Sequence, residues 1–356
     1  MFFSFISKNK TLLVLVLLTL INMLLFTYSG SGNDLNNEPK YNQSSSGFLP
    51  NNDLQKETTP TKIQVTFNKS FQDIYEGKNV CSDVMEFLKV VCSRQPDITE
   101  LFSAGQSYEG RELEVLKIGL GAKKIFINAE HHPREYITTI VVLNQIQEII
   151  DAYEESNKLG GVDVKSLLNE VTFYFMPLVN PDGVEICTGG KPEWYLNARG
   201  VNLNRNYDAE WVKDPSDNGL GSSGEYPFSE PETKALKDLC ERELFDASVS
   251  YHAAGEIIYW YFTQKSGDLK RDSRLADMLG RMTGYHPMTI KQSIGGSERW
   301  GGFKDWFIDK MHKPGFTVEM GKGSIDRPIP FREYQSIWGK NRYLPVKLGA
   351  EILNIK

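Results

Sequence analysis

Apolar and polar positions first settle into a regular pattern near residue 64. From there, stretches of period 3.6 alternate with short apolar runs. SDVMEFLKVVCSRQ (82–95) and REYITTIVVLNQIQEIIDAYEE (134–155) carry apolar residues at helical spacing. LEVLKIGL (113–120), KKIFINAE (123–130) and VTFYFMPLVN (171–180) read as strands; a glycine turn separates the first two, and the third ends in the turn NPDG. SEPETKALKDLCERE (229–243) has a serine followed three residues later by an acid, which predicts a helix capped by Ser229. DASVSYHAAGE (246–256) and GFTVEMG (315–321) are apolar runs bounded by glycine, hence strands, and KNRYLPVKLGAEILN (340–354) predicts a closing helix. Strands alternating with helices in one block imply an α/β fold: a single domain over 64–356, with a mixed, mostly parallel twisted sheet and helices on both faces.

Upstream the pattern differs. Residues 11–28, TLLVLVLLTLINMLLFTY, carry no charge and follow Lys8 and Lys10. Eighteen such residues nearly span a bilayer as a helix, and the preceding lysines orient the N-terminus to the cytoplasm and export the remainder. TYS (27–29) offers a weak cleavage site, so residues 1–29 read as a signal anchor or a signal peptide. No cysteine follows that would make a lipoprotein. Residues 30–63 are rich in Gly, Ser, Asn and Pro without apolar period, a flexible polar linker. The expected location is therefore extracytoplasmic, membrane-anchored by the N-terminus or secreted.

Composition changes this picture little. The chain has 356 residues and net charge −6; a mildly acidic body argues against nucleic acid as a partner. Nothing in the pattern sets an oligomeric state. The four cysteines (Cys81, Cys92, Cys187 and Cys240) form no C-x-x-C pair, so they do not predict a zinc site. Cys81 and Cys92 could bridge in an oxidising compartment, with buried free thiols the alternative.

The polar clusters fall where strands are predicted to end, which is where open α/β sheets bind ligands. HHPRE (131–135) follows one strand. Pro133 forces the preceding residue out of helical geometry and opens the next helix. An imidazole and a carboxylate suit zinc, but spacing alone does not choose His131 or His132 as the partner of Glu135. Among the remaining histidines, His286 sits in a turn and His312 in a polar loop, whereas His252 ends an apolar run and is the best third ligand. Glu319, in the apolar run TVEM, needs a positive partner that a dication would supply.

The ordered motifs HPRE, NPDG, GVNLNRNYD, SYH and TVEMG resemble the zinc carboxypeptidase family over roughly residues 65–350. HHPREY, GEIIYW and GGFKDWF are similar to its branch that cleaves γ-D-glutamyl–diaminopimelate bonds in bacterial cell-wall peptides. The resemblance implies one Zn²⁺ per chain held by His132, Glu135 and His252, with Glu319 as general base. It implies that Asn204 and Arg205 clamp the substrate's terminal carboxylate, with Arg134 a further substrate-binding residue. Arg199, the one arginine between NPDG and NRN, is the nominee for the oxyanion. Two departures stand out. Asn202 replaces the family's usual aspartate behind the first histidine, which implies looser zinc. Counting back from Glu319 puts Lys304 at the base of the specificity pocket and Ser297 where the family has a mobile tyrosine.

These expectations describe a zinc-dependent peptidase acting on a peptide or muropeptide at the γ-D-glutamyl–diaminopimelate amide. The alternatives are a general metallocarboxypeptidase preferring acidic C-terminal residues and a catalytically inactive anchored binding protein.

Overall fold

Along β3 (Lys123–Ala129), Ile125, Ile127 and Ala129 enter one apolar core while Phe126 enters another. Successive strand residues point to opposite faces, so the sheet is covered on both. The computed structural model describes residues 67–213, 222–295, 301–324 and 326–355. The expected N-terminal anchor or signal (1–29), the linker (30–63) and Ser297 lie outside the described residues. No helix among the described residues is long and apolar enough to cross a membrane.

Eight strands make the main sheet. They are β1 (Thr99–Gln106), β2 (Glu112–Ile118), β3, β4 (Val171–Met176), β5 (Ala247–Ala253), β6 (Ile257–Tyr259), β7 (His286–Pro287) and β8 (Gly315–Met320), in the order β1-β2-β4-β3-β5-β8-β6-β7. The central four, β4-β3-β5-β8, run parallel, and β1, β2 and β6 add antiparallel partners. The larger core takes residues from α1 (Val80–Arg94), α2 (Ile137–Glu154), α5 (Ser266–Thr283) and α7 (Leu344–Leu353). The smaller core takes them from α4 (Pro231–Glu243) and α6 (Phe303–Met311). The expected α/β fold with helices on both faces is thus present.

Three local expectations need correction. NPDG is not a free turn but the start of α3 (Pro181–Thr188): Asn180 caps it, accepting a hydrogen bond from the Gly183 N–H, and Pro181 occupies the first turn. Ser229 is not the cap of α4; Glu230 takes the N-cap position without a side-chain cap bond, and the Ser229 hydroxyl donates to the Glu230 carboxylate. All four cysteines are free thiols, so the Cys81–Cys92 bridge is absent. Both lie in α1.

Candidate active site

The parallel strands β3, β5 and β8 deliver their C-terminal ends to one place. β3 ends at Ala129, and Glu130 turns the chain with φ of 72°. His132 is then extended (φ −107°, ψ 113°), as Pro133 requires, and Pro133–Glu135 form one turn of 3-10 helix. This places the His132 and Glu135 side chains on the same side. Behind them, Asn180 Nδ2 donates to the His131 carbonyl at 3.1 Å. A Cβ on Gly183 would lie 2.5 Å from Pro133 Cγ, so only glycine lets α3 back this turn. The NPDG stretch is therefore a brace for the HPRE loop.

His132, Glu135 and His252 converge, all three buried. His132 Nδ1 lies 3.1 Å from Glu135 Oε1, His252 Nδ1 3.1 Å from Glu135 Oε2, and the two Nδ1 atoms are 3.2 Å apart. Tetrahedral zinc with ligands near 2.0–2.1 Å separates its donors by about 3.3 Å. The tautomer agrees. Asn202 Oδ1 accepts from the Asn204 N–H, so it is an acceptor, and the His132 Nε2–H donates to it at 3.2 Å. His132 Nδ1 is left bare and faces a second imidazole nitrogen and a carboxylate. A cation among them is what this donor set fits.

The electrostatics follow from burial and crowding. Burial, together with His252 and Arg205, lowers the His132 pKa. For Glu135, burial works against the charge, but His132 and His252 outweigh it and hold the carboxylate well below its usual range. His252 is also penalised by burial, yet its hydrogen bond to Glu135 and the charge of Glu319 leave it raised. His131 takes no part. Its Nε2 meets the Tyr207 hydroxyl at 2.9 Å, its Nδ1 lies 3.4 Å from Ser250 Oγ, and burial drives its pKa far down. It is a neutral packing residue behind the ligands.

A cleft of ≈ 810 Å³ opens over this cluster. Glu319 lines it and pairs in register with His252 across β8 and β5. Asn204, Arg205, Arg134 and Lys304 line it too. Asn204 Oδ1 accepts from the Phe303 N–H at 3.0 Å, which leaves its amide hydrogens to donate to a ligand. Gly301, at φ 71°, lies so close to Arg205 that a Cβ would meet the Arg205 carbonyl oxygen at 2.4 Å. Asn206, the second asparagine of NRN, is structural: it donates to the carbonyls of Ser223 and Tyr226 and accepts from Glu230 N–H and the Thr233 hydroxyl. The PFSEPET segment is thereby stapled to the NRN stretch.

Arg199 does not reach the cleft. Its guanidinium lies over the Tyr108 ring at 5.4 Å and 3.8 Å from the buried Glu230. It tethers a loop, and proximity to NRN in sequence did not become proximity in space. Lys304 is buried rather than exposed: Nζ donates to the Tyr261 carbonyl at 2.8 Å and pairs with Asp305, which also lines the cleft. Tyr195 and Arg327 line the cleft as well and belong to none of the motifs. Tyr195 stacks on His132 with ring centroids 4.3 Å apart, has the Arg134 guanidinium over its ring at 4.4 Å, and its hydroxyl accepts from Asn202 Nδ2. Burial pushes its pKa up to about 12, so it stays a neutral phenol.

The pattern of the zinc carboxypeptidase family matches residues 84–342. The chain belongs to the zinc carboxypeptidase family. Among curated relatives, it is 29% identical to gamma-D-glutamyl-L-diamino acid endopeptidase 1 of Lysinibacillus sphaericus over 66% of this chain and 63% of that protein. It is 26% identical to rat (Rattus norvegicus) carboxypeptidase B over 77% of this chain and 72% of that one. The chain thus spans somewhat under two thirds of the Lysinibacillus enzyme. Bovine thrombin-activatable fibrinolysis inhibitor, solved with a tick carboxypeptidase inhibitor, shares the fold with a TM-score of 0.68 at 23% identity, covering 79% of this chain and 99% of that one. Membership makes the chain a zinc hydrolase of the peptidase class.

Asn202 then has a measurable consequence. Its oxygen already accepts from both His132 and Asn204, so Asn202→Asp keeps those two bonds, requires the Tyr195 hydroxyl to donate where it now accepts, and adds a charge that raises the basicity of His132. Zinc affinity is expected to rise about tenfold or more, measured by competition with a chromogenic chelator. Unchanged affinity would show that the buried aspartate gains nothing over the neutral amide.

Proposed function

We propose that this zinc peptidase hydrolyses the γ-D-glutamyl–diaminopimelate amide of bacterial cell-wall peptides, outside the cytoplasm, tethered by its N-terminal apolar segment or released from it. The observation that carries this reading is the Lys304–Asp305 pair in the cleft wall. A bare ammonium would select any carboxylate. An ammonium beside a carboxylate attracts and repels a simple acid at once, and suits a group bearing both charges. The far end of diaminopimelate is such a zwitterion. The similarity to the Lysinibacillus endopeptidase supports the same substrate class. A general carboxypeptidase, the second reading, is supported by the likeness to carboxypeptidase B.

In this reading Asn204 and Arg205 hold the carboxylate of the leaving residue, Arg by its planar fork. His132, Glu135 and His252 would hold the zinc, which when bound would supply Lewis acidity toward the amide carbonyl and the attacking water. Glu319 takes the proton from that water and passes it to the leaving nitrogen. Burial of His132, Glu135 and His252 keeps these charges in a low dielectric.

The test is a matched pair of tripeptides, L-Ala-γ-D-Glu capped by meso-diaminopimelate or by L-lysine, which lacks the second carboxylate. The protein is expected to favour the first by roughly 10- to 100-fold in kcat/KM, the value of a charged hydrogen bond, and Lys304→Met to bring the two near parity. An unchanged ratio would remove Lys304 from specificity.

A further inference from the structure

The structure assigns Arg327 as the residue that reads a free carboxylate on the acyl side of the scissile bond, making the enzyme selective for γ-linked over α-linked amides. This rests on the peptidase reading of the cleft and deepens it. Arg327 follows β8 and Glu319 in the chain and returns to the cleft wall. Its Nε donates to the Ala253 carbonyl at 2.8 Å and its Nη2 to the Ala254 carbonyl at 3.2 Å. Those two bonds orient the fork and use two of its five N–H groups. It forms no ion pair with a carboxylate among the described residues, unlike Lys304 in the same cleft. A fixed guanidinium with three donors to spare is built to receive an anion.

Hydrogen bonds place it relative to the chemistry. Asn204 reaches the metal ligands through Asn202, whose oxygen bonds His132. Arg327 reaches them through Ala253, whose N–H donates to Glu135 Oε2 at 3.1 Å. Asn204 and Arg327 thus connect to the His132–Glu135–His252 cluster through different ligands, His132 and Glu135. With the clamp holding the leaving residue, Arg327 serves the acyl residue. An amide made through the glutamate side chain keeps its α-carboxylate three carbons from the scissile carbonyl. In an ordinary α-linked peptide that carboxyl is consumed in the scissile amide, and a carboxylate stands at the same distance only where the acyl residue is glutamate. Arg327 is therefore a specificity-determining residue; it also ties down residues 253 and 254, and the test separates these two roles.

Three substrates are compared at pH 7.5: L-Ala-γ-D-Glu-meso-diaminopimelate, its analogue with the glutamate α-carboxylate converted to the carboxamide, and an α-linked N-acyl dipeptide series with Glu or Gln on the acyl side. The protein is expected to favour the free acid over the carboxamide by roughly 10- to 100-fold in kcat/KM. Arg327→Gln should lose that factor on the acid, mainly through KM, and little on the carboxamide. Equal losses on both substrates would leave Arg327 a purely structural tether and overturn the assignment. Arg327→Lys, which keeps a point charge without the fork, should fall between, and gives the same readout if the glutamine variant does not fold. If neither tripeptide is cut while the dipeptides are, the γ-glutamyl reading fails on its own. Arg327 is then judged on the dipeptides, where loss of a Glu-over-Gln preference in the variant sustains its role and absence of any preference refutes it.

Discussion

Glu319→Gln is expected to leave about one zinc per chain while cutting hydrolysis by roughly 10²–10⁴-fold. Glu319 is not one of the three converging ligands, so metal binding does not need it. It lines the cleft and stands next to His252 in the β5–β8 register, where its charge helps raise the His252 pKa. Glutamine matches its shape and removes only the capacity to accept and return a proton. The measurement is metal content by atomic absorption beside turnover of the same preparation. Full metal with full activity would mean that another group handles the proton. Lost metal would mean that Glu319 acts through the ligand set.

His252→Ala is expected to have the opposite signature: zinc content falls well below one per chain and activity falls with it. Two ligands of a tetrahedral site remain, His132 and Glu135, and both belong to one short turn. His252 alone brings in a second strand. Losing it also leaves Glu135 with one imidazole partner instead of two, and a buried carboxylate that loses a partner is costly. Zinc should stabilise the parent by about 3–4 kcal/mol when present at 100–1,000 times its dissociation constant. That zinc-dependent rise in melting temperature should vanish in the variant. A variant that still gains thermal stability from zinc would place the metal elsewhere.

The strands that build the site were legible because they are buried on both faces. Their runs at 123–130, 171–180, 246–256 and 315–321 are rich in apolar and small residues, and HPRE, NPDG, His252 and Glu319 each fall at or near the end of one. β1 escaped notice because it is an edge strand, TELFSAGQ, with no fully buried residue and no sustained alternation. α5 escaped because its buried stripe includes Asp272, Gly280 and Thr283, which dilute the apolar period. The start of α3 is visible in principle, since Asn180 followed by Pro181 is a cap and first-turn signal; the same NPDG residues also suit a turn, and the two signals compete.

At the site, the resemblance supplied His132, Glu135 and His252 together, and the structure brings these three to one point. Spacing alone could not separate His131 from His132. The geometry does, because His131 is occupied by Tyr207 and Ser250. Arg199 lies against Tyr108 and Glu230 and outside the cleft lining, because nearness to NRN along the chain says nothing of which way a loop faces. Arg327 and Tyr195 carry no sequence signal, because no motif marks a residue whose place comes only from folding back onto the cleft. Lys304 does line the cleft, but the sharing of its charge with Asp305 depends on the fold and is not legible in the sequence.

The most direct test is incubation of the zinc-loaded protein with L-Ala-γ-D-Glu-meso-diaminopimelate beside a panel of ordinary peptides with varied C-terminal residues, with products identified by mass. Release of free diaminopimelate and L-Ala-D-Glu, with the panel largely intact, is the expected result. An intact tripeptide together with stepwise loss of C-terminal residues from the panel would contradict the cell-wall reading and make the protein a general carboxypeptidase.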